Sequence, residues 1–300
     1  MNEVQRVLTG DAAGVETESL GLGDAELVRL YEAMAATRAV DEESARLHAA
    51  GEIAFYVRSL GLEAVSVGAA FNLGSGDWLF PSHRDVGMYL LRGGSMRSWF
   101  DQLFGNAADL TKGRQLPGHH SLPGGRYVSV SGRVGAQLVQ AAGCAVAAKS
   151  RHEEVCVLTS FGEETCNSAN FHAAMNLAGR FRAPAVFVCR AERRDAGVRV
   201  GSATTVSARA ESYGMSVARV DGTDALAVYR AVREARESAA HGGGPTLIEA
   251  VVDEAALFGD AAPAEGEPSG HDPAEHDPVA RFQTFLEQCG AWNGAREEEM

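Results

Sequence analysis

The chain is short of positive charge. It has 27 Lys and Arg against 40 Asp and Glu, a formal net charge of −13, with a pI near 5.2. That balance repels phosphate backbones and anionic headgroups, and so argues against nucleic-acid and membrane-surface partners. No apolar run approaches the roughly 18 residues that a membrane span needs. Cysteine is sparse: Cys144, Cys156, Cys166, Cys189 and Cys289 are scattered with no Cys-x-x-Cys pair. An odd, unpaired set points to a reducing compartment, and Cys156 and Cys189 fall within apolar strand runs, where a thiol is a small buried hydrophobe. The first residues, MNEVQRVLTGDAAGVE, are polar and acidic, unlike a signal peptide. A soluble cytoplasmic protein is the expectation.

What is present is enough for a core. Hydrophobic residues make up 45% of the 300 positions, which excludes disorder as the default. Residues 1–23 read as a flexible leader. Asp24 is placed to cap a helix carrying Leu27, Leu30, Tyr31 and Met34, with Gly51 as its stop. An extended piece is expected over Ile53–Val57 and a helix over Glu63–Asn72. Residues 109–131, rich in Gly and holding two prolines, cannot form regular structure, and such long loops tend to be functional or disordered. An alanine-rich helix follows over Gln137–Lys149. Strands at 154–161, 185–190, 216–220 and 246–252 alternate with helices at 168–179 and 224–240, which implies a mostly parallel twisted sheet with helices on both faces. Residues 253–277 read as an acidic loop, and 278–300 as a closing helix and tail. Residues 24–252 form one α/β domain.

Chemistry concentrates between Phe161 and Glu192. Glu163 follows one strand and Glu192 ends the next, at the edge where open α/β sheets collect ligands. Two carboxylates there can hold a hard cation through oxygen, and the cation a phosphate. The plainer alternative is a strand edge with solvated acids. Three arginines, Arg190, Arg193 and Arg194, lie close by.

Several motifs in order resemble the alpha subunit of thiamine-diphosphate-dependent 2-oxo acid dehydrogenases, the decarboxylating component. They include YEAMAATRAVDEE, FYVRSLGLEAVSVGAA, DWLFPSHRDVGMYLLRGG, FGNAADLTKGRQLPGHH, VSVSGRVGAQLVQAAGCAVAAK, YGMSVARVDGTDALAVYRAVREA and GPTLIEAVV. The likeness covers about residues 24–252 and extends to DPVARFQTFLEQCGAW. It implies a thiamine-diphosphate-binding fold, thiamine diphosphate and Mg2+ as cofactors, and a beta subunit as partner in an assembly of two alpha and two beta chains. It also implies transfer of the acyl group to a lipoyl acyltransferase core.

By this resemblance Glu163, Glu192 and the backbone carbonyl of Arg194 take the metal-ligand positions. Glu163 is an acceptable acid there; Glu192 stands where the family has Asn, and Ala191 replaces a second Asn. Gly162, Glu164 and Arg190 take diphosphate positions. Glu164 replaces a glycine whose backbone approaches the anion closely. Two like charges about 4 Å apart cost roughly 4 kcal/mol at an effective dielectric of 20, or about three decades in binding. Arg84 matches an arginine that grips the diphosphate, and His83 replaces a tyrosine beside it. Gly132 and Val134 match pyrimidine contacts, Gly132 having lost a serine hydroxyl. His119 and His120 are candidates for a lid, against the plainer reading of two exposed histidines. The family's histidine run after LIEA becomes Leu257 and Phe258 here, neither of which moves a proton; His271 is the possible substitute.

Three readings follow. The first is an alpha subunit that keeps fold and assembly but has impaired or lost cofactor binding. The second is an active alpha subunit decarboxylating pyruvate or a branched-chain 2-oxo acid. The third is an enzyme holding a different ligand on a cation bound by Glu163, Glu164 and Glu192.

Overall fold

Near-continuous apolar runs form the centre of the molecule. In the computed structural model, which describes residues 3–8, 17–192, 205–252 and 277–292, five strands make one sheet. They are β1 (Trp78–Phe80), β2 (Val157–Gly162), β3 (Ala185–Glu192), β4 (Ser216–Asp221) and β5 (Thr246–Val252). Their order is β1-β2-β3-β5-β4, and every neighbouring pair is parallel. Alternate residues of β3 serve opposite faces: Val186 and Val188 join one apolar cluster, Ala185, Phe187 and Cys189 the other. Both faces are covered, as the run pattern predicts.

On one face lie α2 (Glu63–Ala70), α3 (Val86–Leu91), α4 (Met96–Phe104) and α8 (Ala225–Ala240). On the other lie α5 (Ala136–Ser150), α6 (Ala169–Phe181) and α7 (Val206–Glu211). An outer layer packs α1 (Asp24–Ala49) and α9 (Pro278–Gln288) over α2 and the start of α8. Arg38 of α1 joins this layer by charge, meeting Glu63 at 2.6 Å and Asp277 at 2.9 Å.

Several elements differ from expectation. The cap of α1 is Gly23 rather than Asp24, and Glu26 accepts from the Gly23 amide at 3.1 Å. Residues 53–57 form no strand; Tyr56 and the following Ser59 turn onto the Asp41 side chain instead. Asp41 accepts from Tyr56 Oη at 2.7 Å, and from the Ser59 amide at 2.5 Å and its Oγ at 2.9 Å. Strand β1 has three residues, too few to show a period. Within the expected leader, Gln5 pairs beside β4 through amide bonds of 2.9 Å with Arg219 and Asp221. The amides of Val7 and Leu8 both donate to Asp224 Oδ2 at 2.6 Å, and Arg281 of α9 donates to the Leu8 carbonyl.

Gly179 of α6 touches the backbone ahead of β4: a β-carbon there would sit 2.0 Å from the Tyr213 carbonyl oxygen. Main chain cannot yield as a side-chain tip can. Gly179→Ala is therefore expected to cost about 3 kcal/mol through overpacking, read as a lower urea midpoint with an unchanged m-value.

Candidate functional site

Because β1, β2 and β3 are parallel neighbours, their carboxyl ends lie side by side, and Asp85 ties them together. Its Oδ1 accepts from Arg190 Nη1 at 2.7 Å. Its Oδ2 accepts from the Ser82 amide at 2.6 Å and Ser82 Oγ at 2.9 Å, and from Ser160 Oγ on β2. Arg190 Nη2 also donates to Ser82 Oγ at 2.6 Å. The Arg190 and Asp85 side chains are 5% and 0% exposed. Two ions tolerate such burial when each is paired and hydrogen-bonded. The network folds residues 81–85 against β2 and so fixes His83 and Arg84.

Arg84 is largely enclosed, and its Nε donates to the Arg58 carbonyl. Burial first, and the adjacent Arg190 charge second, pull its pKa down to about 10. The Arg58–Ser59 peptide is held in turn by Asp41, which accepts from the Ser59 amide at 2.5 Å and from Arg58 Nε at 3.2 Å. His83 faces His119, with 3.4 Å between the two Nε2 atoms. Burial and then the His119 charge lower the pKa of His83.

The loop carrying Gly132 and Val134 is clamped to the turn after β2. Asn170 Nδ2 donates to the Val134 carbonyl at 2.8 Å. Gly135, at φ +71°, lies so close to that turn that a β-carbon would stand 2.9 Å from Ser168 Oγ and 3.0 Å from Thr165 Cγ2. The Val134 side chain is exposed at 64%. In the turn, Gly162 is extended and Glu163–Asn167 makes a single 3-10 turn; Glu163 is half-buried and Glu164 exposed. Ala191 is buried, and Glu192 is the last residue of β3. Arg194, Leu257, Phe258 and His271 lie outside the described residues. Among the described residues, no group of three or more His, Cys, Asp or Glu side chains could hold a metal ion, and no helix is long and apolar enough to cross a membrane.

The structure thus brings His83, Arg84, Gly132, Gly162, Glu163, Glu164 and Arg190 to one edge of the sheet. It does not make the histidine pair a lid: both histidines are buried. His120 stacks on Trp99 at 3.7 Å and donates through Nε2 to the Trp99 carbonyl at 3.1 Å. Sequence reasoning missed Asp85, Ser82 and Ser160. The signal for Asp85 was its place directly after Arg84, an acid ahead of the apolar VGMYLL run.

A bound Mg2+-diphosphate suits one wall of this edge and not the other. On the β1 side, a desolvated Arg84 beside Arg190 would be relieved by an anion. On the β2 and β3 side, Glu164 brings a like charge, Ala191 offers no polar group, and Arg190 is committed to Asp85.

Residues 31–252 match the sequence model of the Dehydrogenase E1 component family, and the chain belongs to this family. It is 32% identical over 289 residues to 2-oxoisovalerate dehydrogenase subunit alpha 2, mitochondrial, of Arabidopsis thaliana, covering 91% of this chain and 59% of that protein. It is 37% identical to 2-oxoisovalerate dehydrogenase subunit alpha of Bacillus subtilis (strain 168), covering 78% and 72%. With pyruvate dehydrogenase E1 component subunit alpha of Staphylococcus aureus (strain Mu50) the identity is 33%, covering 93% and 75%. The chain spans little more than half the length of its plant relatives.

Two expectations follow from the geometry. Asp85→Ala leaves the Arg190 guanidinium buried without its carboxylate and is expected to cost about 3–5 kcal/mol, measured by chemical denaturation. Burial also lowers the pKa of His120 from the ordinary 6.5 to about 4. The unfolded chain therefore binds a proton more readily than the native one, and stability falls as pH drops from 6.5 towards 4. The loss reaches about 3 kcal/mol, and His120→Phe should flatten that part of the stability profile.

Proposed function

We propose that this chain is the alpha-type subunit of a cytoplasmic 2-oxo acid dehydrogenase (decarboxylating) complex whose hold on thiamine diphosphate and Mg2+ is weakened or lost. Its proposed partner is a beta subunit, in an assembly of two alpha and two beta chains docking on a lipoyl acyltransferase core. Family membership and the named activities of the relatives support the subunit type and the 2-oxo acid class. The observation that carries the weakened hold is the Gly162–Glu163–Glu164 turn at the end of β2. Its second acid is exposed where an anion would approach, and the neighbouring β3 end supplies Ala191 and an Arg190 already paired with Asp85.

One observation favours a second reading, a working subunit that decarboxylates pyruvate or a branched-chain 2-oxo acid and acylates a lipoyl domain. The depressed pKa of Arg84 marks a cation that a bound phosphate would stabilise.

Calorimetric titration of thiamine diphosphate with Mg2+ into the full chain, co-purified with its beta partner, separates the two. The expected result is an intact complex with no saturable micromolar binding, and measurable affinity in a Glu164→Gly, Ala191→Asn, Glu192→Asn variant. Micromolar binding by the unaltered complex overturns the first reading and establishes the second.

A further inference from the structure

Residues 116–120 have no strand or helix of their own, and two adjacent histidines fasten this stretch to different walls. His120 stacks on Trp99, with ring centroids 3.7 Å apart and planes 6° from parallel. Its Nε2 donates to the Trp99 carbonyl at 3.1 Å, while its Nδ1 is buried with no hydrogen-bond partner. A nitrogen left bare in this way suits the neutral ring, because the second proton of an imidazolium would enter the interior unpaired. His119 turns the other way. Its Nδ1 donates to the Pro117 carbonyl at 3.3 Å, which leaves Nε2 to accept from His83 Nε2 at 3.4 Å. That bond needs a bare nitrogen on one of the two rings, so it survives one added proton and not two.

The surroundings set the sign of the response. Burial pulls the His120 pKa down to about 4, against the Trp99 and Gly118 carbonyls and the Asp109 carboxylate that favour its proton, and the His119 ring adds to the lowering. The Tyr89 ring lies against His120 as well, at 5.2 Å between centroids. His83 is lowered by burial and then by His119; Asp85 opposes this and Arg190 adds to it. A loop swung into water returns His120 to the ordinary value near 6.5. The open state therefore binds the extra proton more readily, and acid favours it over the closed one. We propose that the 116–120 loop is an acid-released fastening: neutral His119 and His120 hold it against the site edge, and their protonation frees it. Gly132 shows how closely the loop is seated, since a β-carbon there would lie 3.0 Å from His119 Nε2. Release uncovers the His83 ring, so access to the wall after β1 follows pH.

The test is amide hydrogen exchange of the full-length chain at about pH 7 and about pH 4.5, with rates corrected for the intrinsic pH dependence of exchange. The reporters are the amide of Gly118, bonded to Gln102 Oε1 at 3.0 Å, and those of His119 and Val130, bonded to the Leu116 and His120 carbonyls at 3.0 Å each. A single histidine supplies up to about a hundredfold over two pH units. Protection of the three reporters is expected to fall at least tenfold in acid, while that of β3 stays unchanged. In a His119→Asn, His120→Phe double variant, which keeps a ring on Trp99 without a titrating nitrogen, protection should be the same at both values. Equal protection of the reporters at the two values in the unaltered chain overturns the proposal. So does a loss that extends equally to β3, or one that persists in the double variant. Should that variant not fold, a loss confined to the reporters in the unaltered chain decides in favour of the proposal.

Discussion

The Asp85–Arg190 pair joins the carboxyl ends of three strands. Asp85 belongs to the segment after β1, Arg190 to β3, and Ser160, which shares the same carboxylate, to β2 between them. Parallel strands are hydrogen-bonded along their length, but their ends are loose where the chain turns into the next helix. A buried carboxylate with a donor on every side converts that loose edge into a fixed one. Everything assigned to the site depends on this: the aim of His83, the enclosure of Arg84 and the withdrawal of Arg190 from solvent.

The same edge sets side chains of unlike sign near one another. The chain as a whole carries −13, yet the wall after β1 presents Arg84 and two imidazoles, with Arg190 behind them. The opposing wall keeps the negative sign of the surface in Glu163 and Glu164.

Much of this was legible in the sequence and some was not, for reasons that differ by element. Strands β2, β3 and β5 were visible because a strand buried on both faces leaves an unbroken apolar run. The helices α5 and α8 were visible through length and period. Strand β1 was hidden by its three residues, and the stretch 53–57 mimicked a strand because its apolar residues serve a loop pinned by one distant carboxylate. Within the site, residue types and spacing pointed to Glu163, and the family resemblance to Arg84 and Arg190. They could not give the commitments of those side chains. That Arg190 is used up by Asp85 is a relation across 105 positions, and no local pattern carries it. The burial of His119 and His120 was hidden likewise, since a glycine-rich loop reads as exposed until an aromatic partner such as Trp99 is placed beneath it.

Residues 3–8 lie along β4 and are fastened by Asp224 and by Arg281, partners 216 and 273 positions away for Leu8. Without that fastening, the side of β4 turned away from β5 is an open strand edge, able to pair with an extended segment of another molecule. The segment keeps this edge covered, and the bond from Arg281 makes the cover depend on α9.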